Sequence, residues 1–110
     1  MALSLGGFQD RLRVWNARAA HEVEHSDGAT AASWRGQQRV LGAIAKYMEG
    51  EGARYTPGQV RLRLIDEREA ARRAWEAARD EQEVARLAGE VAGYDLLFEL
   101  LKDAGRAWAA

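Results

Sequence analysis

Thr56-Pro57-Gly58-Gln59 and Asp80-Glu81-Gln82-Glu83 each spell a helix start, and the stretch from Thr56 to Ala104 that they divide decides the fold. In each start a side-chain oxygen at the N-cap can accept from the N3 amide, while Gln59 or Glu83 can reach back. Pro57, the only proline, falls at N1, where its missing N–H costs nothing. The second helix then places Val84, Leu87, Val91, Tyr94, Phe98 and Leu101 at alternating three and four spacing, a packing seam.

Working outward, Phe8, Leu12, Trp15, Ala19 and Val23 predict an amphipathic helix over about 8–25. Thr30 caps a second over about 30–49, in which Gly36 and Gly42 each weaken helix formation by ~1 kcal/mol relative to alanine. The third and fourth are expected over about 57–79 and 80–104. The chain is thus one all-α domain, 1–110: a small bundle of about four helices with a C-terminal antiparallel hairpin. A short apolar N-terminal arm (Leu3, Leu5) and a C-terminal tail flank it. The joint at Arg79-Asp80 contains no glycine or proline, so one long bent helix of about 70 Å is the alternative at 1.5 Å per residue.

Composition excludes several chemistries. There are no cysteines, so disulfides, thiolate metal sites and a cysteine nucleophile are absent. Charged residues make up 30% and the net charge is −1, so general nucleic-acid affinity is not written into the composition. The start has no basic n-region, and no apolar run approaches the ~18 residues of a spanning helix. A soluble protein with no membrane partner is expected. Charge is uneven: residues 53–79 carry seven Arg against four acids, and residues 80–110 carry three Arg or Lys against seven acids. Opposite signs favour pairing of these two helices, within a chain or between subunits.

His21-Glu22-Val23-Glu24-His25 fits H-E-x-x-H and resembles the zincin metalloproteases. That resemblance implies His21 and His25 as zinc ligands and Glu22 as general base. It covers five residues, Glu24 and Asp27 depart from the extended pattern, and a third ligand has to come from Glu49 or Glu51. A solvated helix end, with two histidines where the dipole favours cations, explains the same residues. No catalytic residue, metal or cofactor is therefore expected.

Arg61, Arg68 and Arg72 lie near one face of the third helix and form a candidate nucleic-acid surface. Carboxylates at i+3 and i+4 favour a salt-bridged solvent face instead. Ala85, Gly89 and Gly93 form a small-residue stripe that lets another helix cross closely. Leu96, Leu97 and Leu100 give the fourth helix more apolar girth than one seam needs. With Trp75, Tyr94 and Trp108 they are the candidate interface residues, although Trp108 folding back onto the core explains the tail equally well.

The run Trp75-Glu76-Ala77-Ala78-Arg79-Asp80-Glu81-Gln82-Glu83, followed by Ala85-Arg86-Leu87-Ala88-Gly89-Glu90-Val91-Ala92-Gly93-Tyr94, is similar to small, uncharacterised helical proteins of tailed bacteriophages. Gln82 stands where that pattern more often has an acid. The resemblance implies a non-enzymatic virion or assembly component, in the head or at its portal vertex. Its expected partners are copies of itself or other virion proteins, in the virion or the cytoplasm of the bacterial host.

Overall fold

Ser4 accepts the Gly7 N–H at 3.0 Å and so starts α1 (Leu5–His25) ahead of Phe8, where apolar spacing alone would begin it. In the computed structural model, which describes residues 2–110, three more long helices follow. α2 (Gly28–Glu49) begins before Thr30, because Gly28 takes φ +58° and lets the chain turn directly out of Asp27. A 3-10 turn (Glu51–Arg54) leads into α3 (Pro57–Ala77). Here both halves of the capping box form, Gln59 N–H to Thr56 Oγ1 at 3.3 Å and Thr56 N–H to Gln59 Oε1 at 2.9 Å. α4 (Glu81–Leu101) starts on Asp80, which accepts the Glu83 N–H at 3.0 Å. Glu83 does not reach back, because its carboxylate is held by Arg86.

The long-helix alternative is overturned at Ala78 and Asp80, whose ψ values of 144° and 133° are extended. The fold is an all-α bundle of four helices. α1 runs antiparallel to α2, with Gln9 donating to the Met48 carbonyl at 2.7 Å and Asn16 beside Gly42. α3 runs antiparallel to α4, with Arg68 on Asp95 at 2.7 Å and Tyr94 reaching Glu67 at 3.4 Å.

These two hairpins meet through α2 and α4, which cross in parallel. A Cβ on Gly36 would sit 1.9 Å from the Arg86 carbonyl oxygen, and one on Gly89 would sit 1.8 Å from that of Ser33. Only hydrogen fits at either place, so the backbones touch and each glycine Cα–H points at the other helix's carbonyl. Gly36 is therefore a contact, and not the weak point that helix propensity makes of it.

The contact is reciprocal, as a two-fold rotation would make it, and the rest of the chain repeats with it. The interval from Gly36 to Gly89 is also that from Ser33 to Arg86, from Val40 to Gly93, from Ile44 to Leu97 and from Met48 to Leu101. Phe8, Leu12 and Ala19 of α1 correspond to Val60, Leu64 and Ala71 of α3 at an interval one residue shorter. Every one of these apolar or glycine positions is buried. The molecule is two copies of one hairpin pattern.

α4 consequently needs two apolar seams. Gly89 and Gly93 meet α2, while Tyr94 and Phe98 meet α3. Leu97, Leu100 and Tyr94, expected at an interface with another subunit, are buried in the chain's own core. Trp108 also folds back. Its ring stacks on Phe8 with centroids 5.2 Å apart, and its Nε1 donates to the Tyr55 carbonyl at 2.9 Å. Backbone bonds from Leu3 to Asp103 and from Ala109 to Leu3 clasp the arm to the tail.

Candidate functional site: two equivalent grooves

The repeat gives the molecule two equivalent grooves, one on each side of the α2/α4 pair. The first lies between α1 and α4 and has a volume of about 490 Å³. Trp15 and Arg18 line it from α1, Trp34 and Gln37 from α2, and Ala92, Asp95, Leu96 and Glu99 from α4. The second, between α3 and α2, has about 360 Å³. Under the repeat Trp15 becomes Glu67, Arg18 becomes Ala70, Trp34 becomes Leu87, Gln37 becomes Glu90 and Ala92 becomes Arg39. All five counterparts line the second groove.

The chemistry of the two has diverged. Glu90 is only 4% exposed, and a carboxylate taken out of water needs charged partners. It has two: Arg39 at 2.8 Å from α2, and Arg86 one turn earlier on α4. Arg86 in turn holds the Glu83 carboxyl below the usual carboxylate range. Beside them burial, followed by the Glu67 carboxylate, pushes the Tyr94 phenol up to about 12. The charged groove is thus lined by an ion-pair network that ties α2 to α4.

In the first groove a neutral Gln37 replaces the buried acid, and no guanidinium is drawn across it. Trp15 and Trp34 are half-buried, Ala92 is exposed, and Leu96 is half-buried between them. The charges sit at the walls: Arg18 on the α1 side, Asp95 and Glu99 on the α4 side. The site offers an apolar floor with a polar rim, suited to binding and lacking any nucleophile–base pair. Of the residues singled out from sequence, only Leu96 lies here. Trp15 stands in the sequence as one apolar position of the first helix, and nothing in its spacing from Trp34 marks the two as neighbours.

The remaining candidates are dispersed. Trp75 stands at the far end of α3, 37% exposed. Arg68 is held by Asp95, Arg72 lies beside Glu69 at 3.4 Å, and Arg61 lies over the Phe98 ring, 5.9 Å from its centroid. The arginine face is laced with acids and an aromatic, as its i+3 and i+4 spacing predicts. His21 and His25 are exposed at the end of α1, their rings stacked with centroids 4.0 Å apart, and His25 Nδ1 lies 2.8 Å from the His21 carbonyl. Glu49 pairs with Arg13, about 12 Å along α1 from His21 at 1.5 Å per residue, and Glu51 accepts from the Tyr55 hydroxyl. Among the described residues no three His, Asp or Glu side chains are grouped to hold a metal ion. No helix among them is long and apolar enough to cross a membrane. Comparison with protein-family models, with curated proteins and with solved structures finds no match to this chain.

Proposed function

We propose that this chain is a non-catalytic assembly protein that works by receiving a partner in the groove between α1 and α4. The observation that carries this reading is the contrast within the repeat: one groove is lined by a network of buried and paired charges, and its equivalent is floored by two tryptophans, Leu96 and a neutral Gln37. Exposed apolar patches with polar rims are the ordinary mark of interaction surfaces. The similarity of residues 75–94 to helical tailed-phage proteins supports a virion component, at the head or portal vertex, as the setting. Its partners are then other virion proteins or further copies of itself.

A photo-crosslinking residue at position 92, in cells that make the protein, tests this. Adducts to a defined structural protein or to the chain itself are expected, and a crosslinker at exposed Glu24 should not give them. Identical adducts from both positions, or none from position 92, sink the proposal.

A further inference from the structure

We infer that His21 and His25 form a two-imidazole site for a divalent transition-metal ion of the zinc, nickel or copper class, at the end of α1. The inference is independent of the groove and of the assembly reading. A metalloprotease needs a third protein ligand, and no third His, Asp or Glu among the described residues is grouped with this pair. What the fold does provide is the pair itself. Both side chains are exposed, and their rings stack with centroids 4.0 Å apart. Imidazole suits zinc, copper and nickel, whereas magnesium and calcium prefer oxygen ligands.

Three features beyond the i, i+4 spacing prepare the pair. A carbonyl oxygen can only accept, so the 2.8 Å contact with the His21 carbonyl places the proton of a neutral His25 on Nδ1. Nε2 is then the nitrogen with the free lone pair, and a backbone anchor of this kind is the usual outer support of a metal-bound histidine. The rings also have freedom to adapt. Two nitrogens bound to one ion at about 2.0–2.1 Å lie roughly 3–3.5 Å from each other, and exposed rings can open from the stack about χ2, a broad torsion. Charge is the third feature. Glu22, Glu24 and Asp27 flank the pair, and residues 21–27 contain no Lys or Arg. Among the described residues none of these three acids is ion-paired, and Asp27 makes no side-chain capping bond to α2. The negative end of the α1 dipole adds to their field, so a dication meets uncompensated charge. Water completes its coordination. An ion held across one turn fastens the end of α1 just before the chain turns into α2, and it stabilises the folded chain by binding it alone.

Calorimetric titration of the purified chain with zinc chloride tests the inference, with magnesium chloride as the comparison. One zinc ion per chain and no magnesium should bind, and the thermal unfolding midpoint should rise with zinc concentration. His21→Ala and His25→Ala each leave a single imidazole, so each should weaken zinc binding at least about tenfold and remove the rise in midpoint. Both positions are exposed, so both variants should keep the wild-type circular dichroism. Ala17 is exposed one turn before His21, so adding Ala17→His to His25→Ala rebuilds an i, i+4 pair and should restore binding. No zinc bound at millimolar concentration, binding unchanged in either single variant, or no restoration by the relocated pair overturns the inference. An endpoint of half an ion per chain, with dimers in sedimentation, overturns it as well, because the ion would then be shared between two copies and not completed by water.

Discussion

The two grooves of this molecule share a scaffold and differ in what fills them. Both are formed by an outer helix leaning on the α2/α4 pair, and corresponding residues line both. In one, the buried carboxylate of Glu90 recruits Arg39 and Arg86 and lines the space with paired charges. In the other, Gln37 carries no charge to neutralise, and the tryptophans are left at the surface. The helix crossing decides that grooves exist, whereas the residue at an equivalent place, Glu90 or Gln37, governs whether the groove carries a charge network. Stability has been served on one side and availability on the other.

The sharpest challenge to this comparison is at the crossing that creates both grooves. Gly36→Ala and Gly89→Ala each drive a methyl into a carbonyl oxygen, so each should cost about 3 kcal/mol or more, by similar amounts, in urea unfolding. A large difference between the two would break the equivalence of the halves. Next, Glu90→Ala should cost about 2 kcal/mol, because it strips the partner from two arginines at the charged groove. Gln37→Ala, at the corresponding place, should cost less than about 1 kcal/mol, and equal costs would erase the distinction.

A smaller effect lies in pH. Tyr94 ionises less readily folded than unfolded, so its stabilising contribution is fully present below pH 10 and is lost as pH rises through about 12. Tyr94→Phe should flatten that alkaline decline. Last, Ala92→Trp should shift the unfolding midpoint by no more than the equivalent of about 0.5 kcal/mol, since it adds an aromatic to an open groove and displaces nothing.

Local features were legible in the sequence. Thr56, Gln59, Pro57 and Asp80 act within a turn of themselves, and their capping bonds form as expected. Ser4 escaped notice because Gly6 and Gly7 follow it and mask a helix start. The repeat was not legible, because its halves keep apolar character and not residue identity: Phe8 corresponds to Val60, and Met48 to Leu101. Glu90 looks like any other acid on α4 until another helix covers it. Leu97 and Leu100 seemed surplus when α4 was given one neighbour, and two neighbours account for them. Trp15 and Trp34 lie on antiparallel helices, and only the pairing of α1 with α2 brings them to one groove.

The reciprocal glycine contact also settles how α2 and α4 can be registered. Sliding α4 one turn in one direction would bring Ala85 to the place of Gly89, with its methyl against the Ser33 carbonyl. Sliding it one turn the other way would bring Leu97 to the place of Gly93, where a Cβ would lie 3.1 Å from that of Val40. Neither shifted arrangement can pack. The joint between the halves therefore has one setting. Two missing methyl groups thus fix the placement of every surface that spans the two halves.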